Sequence, residues 1–218
     1  MNSLNNEINY SFKNPNLLKS ALTHSSYSNE FGGESYERLE FLGDAVLELV
    51  VSDYIYKFNE LDSGILSKLR AGLVSTSYLK GISESLKLDK LVLKSKSLSM
   101  LSDKTKADLF ESLIGAIYLD SGLENAQKII QKFVIVNDLN IQNVLKNCID
   151  YKTKLQEYLQ KIGKHFEYRV VSESGLDHEK IFEVELCVDS IVVSNAKGKS
   201  IHIAQENCAE IYLKRIEK

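Results

Sequence analysis

Apolar residues recur at helical spacing over most of the first two-thirds of the chain and then give way to short β-rich runs. The helical period predicts elements at 14–24, 36–58, 63–73, 76–86, 104–120, 123–134 and 138–146, with Asn14-Pro15-Asn16 as a start signal and Gly32-Gly33 as a turn. Asp150 can cap a further helix at 151–162. After it, Phe166–Ser172, Lys180–Cys187 and Ser190–Asn195 read as strands, and 200–215 reads as a closing helix. The expected fold is an all-α domain over 1–147 followed by a small α+β domain over 149–218, in the order α-β-β-β-α. Only the change of period marks the boundary, because no Pro- or Gly-rich linker lies there.

Two of the predicted helices carry acids where their apolar surroundings leave little room for water. In Glu37-Arg38-Leu39-Glu40-Phe41-Leu42-Gly43-Asp44, a rotation of about 100° per residue puts Glu37, Glu40 and Asp44 on one stripe. The segment Ala107–Tyr118 repeats the pattern, with Asp108 and Glu111 three apart. If the two helices pack through their apolar surfaces, Glu40, Asp44, Asp108 and Glu111 can converge in one pocket. Carboxylates at close range must take up protons or be neutralised by cations, and oxygen-only ligands favour magnesium or manganese over zinc. Such a cluster suits metal-assisted phosphoryl transfer. Two other readings stay open on spacing alone. A carboxylate pair can serve glycoside hydrolysis, although the chain has no Trp to stack on a sugar. The acids can also be structural, capping helices or pairing with Arg38, Lys104 and Lys106.

Composition narrows the classes. A chain of 218 residues, 44% hydrophobic, suffices for one or two cores, and no segment is apolar enough to span a membrane. The formal charge of −3 argues against a strongly basic nucleic-acid binder. Cys148, Cys187 and Cys208 are odd in number, and a zinc site built from them with His178 or His202 would lack a Cys-x-x-Cys element. The opening residues Met1–Glu7 have neither the basic nor the apolar region of a signal peptide. The expectation is a soluble protein of the reducing cytoplasm.

Four ordered segments carry a family resemblance. Glu37–Leu47 resembles the most recognisable motif of the ribonuclease III family, and Ala107–Asp120 resembles its second catalytic motif. Ala21-Leu-Thr-His-Ser-Ser-Tyr27 and Leu66-Ser-Lys-Leu-Arg-Ala-Gly-Leu-Val74 match two further family segments. Beyond the boundary, Asp150–Leu159, Gly175-Leu-Asp-His178 and Gly198-Lys-Ser200 resemble the three RNA-contacting regions of a double-stranded-RNA-binding domain. The order is that of the bacterial enzyme. The resemblance implies that Glu40, Asp44, Asp108 and Glu111 hold Mg²⁺, for which Mn²⁺ can substitute, with Asp44 and Glu111 nearest the chemistry. It further implies hydrolysis of double-stranded RNA to 5′-phosphate and 3′-hydroxyl ends with short 3′ overhangs, by a homodimer that processes ribosomal and other transcripts. Phe41 is then a dimer-interface residue, with a core aromatic as the alternative. Glu37 belongs to the acidic valley, less surely as a ligand.

A-form RNA is read mainly by shape across its shallow minor groove and through its phosphates. Thr153, Gln156 and Glu157 share one exposed helix face, while Leu155, Tyr158, Leu159 and Ile162 are placed to face the sheet. His178 sits in a loop suited to a second minor groove. Lys197, Lys199 and Ser200 precede the last helix, whose N-terminus attracts phosphate. Two departures from the family pattern stand out: Ser63 occupies a usually acidic position next to Asp62, and Ile201 and His202 replace a usual pair of lysines. With 11 basic against 12 acidic residues in 149–218, RNA affinity is expected to be weaker and less salt-dependent than in a relative with both lysines. A catalytically silent RNA-binding regulator and a purely structural helical protein are the competing classes. The silent binder leaves the four-carboxylate set without a use, and the structural protein leaves the α-β-β-β-α module unexplained as well.

Overall fold

The computed structural model describes residues 2–136, 138–176 and 179–216. Contacts divide the chain into two compact units, Met1–Cys148 and Ile149–Lys218. The first is built from ten helices among the described residues: α1 (Asn2–Ile8), α2 (Pro15–Ala21), α3 (Ser25–Phe31), α4 (Glu37–Ile55), α5 (Ser63–Leu73), α6 (Thr76–Ser85), α7 (Leu88–Leu91), α8 (Asp103–Ser121), α9 (Leu123–Ile130) and α10 (Asp138–Cys148). Short polar side chains start several of them by accepting a backbone N–H that the helix leaves unpaired. Asn14 caps α2 through the N–H of Asn16, Asp62 caps α5 through Ile65, and Ser102 caps α8 through Thr105.

α8 is the axis of this unit. Residues 107–110 and 112–117 along it are buried, so nearly every direction from the helix meets protein, and α2, α4, α6 and α9 pack around it. Its ends are set locally: the Ser102 cap opens it, and Gly122, at φ +84°, closes it in a left-handed conformation that glycine adopts without steric cost. Asp120 ties the last turn to the N-terminal segment, accepting from the Tyr10 hydroxyl at 2.5 Å and from the N–H groups of Lys13 and Asn14 at 2.8 Å each.

Two glycines set how closely α4 and α8 cross. A methyl group at Gly43 would overlap the carbonyl oxygen of Glu111 and lie 2.9 Å from the N of Gly115, and one at Gly115 would overlap the carbonyl oxygen of Leu39. No side chain separates the helices there, so the two acidic segments meet at backbone contact.

The second unit contains α11 (Tyr151–Lys161), strands β1 (Phe166–Ser174), β2 (Ile181–Val188) and β3 (Ile191–Gly198), and α12 (Ile201–Ile216). The sheet is antiparallel in the order β1-β2-β3, with irregularities between Val170 and Ser172 and between Leu186 and Cys187. Leu155 and Leu159 of α11, Val184, Leu186 and Val188 of β2, and Ala204, Cys208 and Leu213 of α12 form its core. Cys187 and Cys208 are buried free thiols that fill small spaces.

The architecture is the all-α domain followed by an α-β-β-β-α module that the periodicity predicts, with local differences. α1, α3 and α7 were not expected. Among its described side chains α1 buries Leu4 and Ile8 alone, and α3 buries nothing, so neither shows the long apolar stripe from which period is read. The segment expected as one helix at 123–134 is α9 followed by a wider π-type turn, Gln131–Ile135. Along α11 and its C-cap, Tyr158 and Ile162 do not face the sheet as expected: they are exposed, and of the four residues expected there Leu155 and Leu159 reach the core.

Candidate active site

α4 and α8 bring three of the four expected carboxylates into one cluster. One oxygen from each of Glu40, Asp108 and Glu111 lies within 4.8 Å of the others. Asp44, one turn along α4 from Glu40, is exposed and lies outside that trio, but its charge acts on Glu111. Glu37 points elsewhere: it accepts a hydrogen bond from the Ser35 hydroxyl at 3.0 Å.

The electrostatics follow from this crowding. Burial, reinforced by the negative charges of Asp44, Asp108 and Glu40, pushes the Glu111 carboxyl up to about 7. The buried Tyr36 phenol, beside Asp108, is pushed up to about 12, mainly by burial. One cation relieves the cluster. The Lys104 ammonium lies 2.9 and 3.0 Å from the oxygens of Asp108 and 3.2 Å from Glu40, and its pKa is raised chiefly by the hydrogen bond to Asp108. The structural pairing weighed for Lys104 therefore exists, whereas Lys106 pairs with Glu84 on α6 at 2.7 Å. The sequence offers Lys104 as a salt-bridge partner, and its i,i+4 spacing to Asp108 also places it at the site.

The donor set fits a hard divalent cation. It is all oxygen, it converges from two helices, and burial together with the neighbouring negative charges makes one member, Glu111, hold its proton to near neutrality. At the start of α5, Asp62 is committed to capping that helix, with its oxygen 2.9 Å from the N–H of Ile65, so Ser63 has no substitute carboxylate from that neighbour.

Phe41 is not a core aromatic within this chain, being 81% exposed. It borders an open cavity of about 700 Å³ that is also lined by Leu17, Leu39, Leu42 and Leu119.

In the second unit, Thr153, Gln156 and Glu157 share the exposed face of α11. The Thr153 hydroxyl donates to Asp150 at 2.8 Å. Lys197 lies 3.7 Å from Glu183, Lys199 is exposed, and the Ser200 hydroxyl oxygen caps α12 by accepting from the N–H of Ile203 at 3.2 Å. Ile201 and His202, on the first turn of α12, are exposed, so the two substituted positions stand at the surface. His178 lies outside the described residues.

Residues 14–138 match the family model described as Ribonuclease-III-like, and residues 151–216 match the Double-stranded RNA binding motif. The chain belongs to the ribonuclease III family. It is 38% identical over 223 residues to "Ribonuclease 3" of Sulfurovum sp. (strain NBC37-1), covering 99% of this chain and 97% of that one. With "Ribonuclease 3" of Campylobacter fetus subsp. fetus it shares 40% identity over 217 residues, covering 96% and 95%. A crystal structure of the nuclease domain of ribonuclease III from Campylobacter jejuni matches with a TM-score of 0.57 and 40% identity, over 62% of this chain and 92% of that one. A second structure of that domain, described as showing structural flexibility in a region involved in dimer formation, matches with a TM-score of 0.56. The chain is accordingly an endoribonuclease of the ribonuclease III family with a double-stranded-RNA-binding domain. Divalent-metal use follows from the family, and the acidic cluster is placed to hold such an ion. Among the described residues, no helix is long and apolar enough to cross a membrane.

Proposed function

We propose that this endoribonuclease is Mg²⁺-dependent and cuts double-stranded RNA as a homodimer, leaving 5′-phosphate and 3′-hydroxyl ends with short 3′ overhangs. The observation that carries the reading is the convergence of Glu40, Asp108 and Glu111 across the α4–α8 crossing. Glu40, Asp44, Asp108 and Glu111 hold the metal, and Mn²⁺ substitutes. Residues 1–147 act as the catalytic domain and 149–218 as the RNA-binding domain. Held there by these carboxylates, a divalent cation would supply water activation and charge stabilisation of the leaving oxygen. Glu111 and Asp44 orient what binds there, and the apolar walls of α4 and α8 hold the carboxylates in place. Thr153, Gln156, Glu157 and His178 contact minor grooves, and Lys197, Lys199 and the Ser200 end of α12 contact phosphate. The negative net charge is no obstacle, since metals offset part of the valley's charge and the RNA-facing surface can be locally positive. The setting is the cytoplasm, and the substrates are ribosomal precursors and other transcripts. Incubation of the purified protein with a long RNA duplex, with and without Mg²⁺, tests the reading. Defined short products only with metal are expected, and binding without cleavage in Mg²⁺ would overturn it.

Metal uptake requires Glu111 to release its proton. Mg²⁺ affinity is therefore expected to rise by up to about tenfold per pH unit below about 7 and to level off above it. Calorimetric titration between pH 6 and 8.5 checks this, and a pH-independent affinity would count against Glu111 as a ligand.

An exposed aromatic ring beside an open cavity, walled by Leu17, Leu39, Leu42 and Leu119 and rimmed by polar residues such as Glu34 and Arg38, offers both halves of a self-complementary twofold contact. Phe41→Asp is expected to weaken dimerisation by roughly thirtyfold or more, about 2 kcal/mol, as for a buried aromatic anchor. Sedimentation of wild type and variant at matched concentration decides it. An unchanged dimer would place the interface elsewhere.

A further inference from the structure

Lys104 is an ammonium in a position where a metal is expected. It stands on the first turn of α8, one turn before Asp108, and reaches both oxygens of Asp108 and Oε1 of Glu40 at 2.9 to 3.2 Å. These two residues supply two of the three carboxylates in the cluster. The Asp108 side chain is only 9% exposed, and no other donor reaches it among the described residues. An ionised carboxylate this buried needs a cation, and Lys104 supplies it. The Lys104 side chain is itself 70% exposed, so its flexible stem has an open path away from the pocket.

We propose that Lys104 is an internal counter-ion that occupies the carboxylate pocket in the metal-free chain and is displaced when the metal binds. The inference rests on the metal reading of the cluster given above. Mg²⁺ binds oxygens at about 2.0–2.1 Å, and the ammonium shares those oxygens at hydrogen-bond distance, so the two compete for the same lone pairs. The lysine thereby keeps the site assembled without metal, because it neutralises carboxylates that would otherwise repel one another across the α4–α8 crossing. It also lowers metal affinity, since loading must break its ion pairs.

Lys104→Met removes the charge and retains the length of the side chain. Calorimetric titration of the full chain with Mg²⁺ alone is expected to show binding tighter than wild type by on the order of tenfold, the scale of two partly exposed ion pairs. Without metal, thermal denaturation of the variant is expected at a lower temperature than wild type, and saturating Mg²⁺ should remove or reverse the difference. Lys104→Arg keeps the charge and should retain an affinity nearer to wild type. In wild-type protein labelled with ¹³C at the lysine ε-carbon, the signal missing from Lys104→Met should shift as Mg²⁺ is added. Equal or weaker Mg²⁺ binding by Lys104→Met, with wild type binding normally, overturns the counter-ion role and leaves the metal site standing. Failure of both proteins to bind Mg²⁺ or Mn²⁺ overturns the metal reading and this inference together.

Discussion

Glu111→Gln is expected to lower the rate of duplex cleavage by roughly a thousandfold, the several kcal/mol that correct metal coordination supplies to a phosphoryl-transfer transition state. The fold should survive. The amide nearly matches the carboxylate in shape, and Glu111 sits on α8, whose position is set by the buried residues from Ala107 to Ile117. RNA affinity should change little, because the double-stranded-RNA-binding motif lies at 151–216. Stability should move the opposite way from activity. The Glu111 carboxyl titrates at about 7 in the folded chain against an ordinary 4.5, so the folded state holds the proton more tightly than the unfolded one. The favourable contribution of the protonated form is complete below about 4.5 and is lost as the pH rises to about 7. Gln cannot ionise and escapes that loss. In metal-free buffer the variant should gain stability over wild type as pH rises through this window, by about 1 kcal/mol once solvent screening is allowed for. Urea denaturation at pH 5 and pH 8, with cleavage assayed in Mg²⁺, checks both halves. Retained cleavage removes Glu111 from the site, and an inactive variant with no pH-dependent gain in stability would show that its charge is already compensated without metal.

The same residues show how much of this arrangement was legible in the sequence. Long elements with a buried stripe were readable: α5 is found at the expected 63–73, and α8 at 103–121 against an expected 104–120. The acids of α4 and α8 stood out because their neighbours are apolar, and Glu40, Asp108 and Glu111 meet as their spacing allows. What escaped is information that a one-dimensional pattern does not carry. Phe41 reads equally as core or interface until its ring is seen outside the core, 81% exposed. Tyr158 and Ile162 have the period of core residues, but the small core of the second unit is filled by Leu155 and Leu159 before it reaches them. Asp44 shares a stripe with Glu40, yet its side chain is exposed and stands outside the trio, which a stripe on one helix does not reveal. Ser63 is the opposite case: the substitution is plain in the sequence, whereas the commitment of Asp62 to the α5 cap shows only in the fold. Gly43 and Gly115 looked like ordinary motif residues, because only the crossing of two helices shows what a side chain there would strike.

That crossing carries the other large expected effect. Gly43→Ala ought to strengthen an isolated helix by about 1 kcal/mol, since glycine is a poor helix former. In α4 it should instead destabilise the protein by roughly 3 kcal/mol or more, the upper range for overpacking a close contact. The added methyl group overlaps the Glu111 carbonyl oxygen and lies 2.9 Å from the N of Gly115. Both are backbone atoms of a buried helix and cannot rotate aside as a side-chain tip would, so α4 and α8 must move apart. The displaced atoms belong to the residue that bears the candidate catalytic carboxylate, and the separation opens the cluster that Glu40 forms with Asp108 and Glu111. Cleavage by Gly43→Ala should therefore fall further than its folded fraction accounts for, even at temperatures well below its melting point. Gly81→Ala, on α6, is the matched control: a methyl group there meets nothing within 4 Å, and the substitution should be neutral or stabilising by about 0.5–1 kcal/mol. Denaturation and cleavage measured together for both variants test the argument. If Gly43→Ala is as stable and as active as Gly81→Ala, the close crossing does not hold the site together.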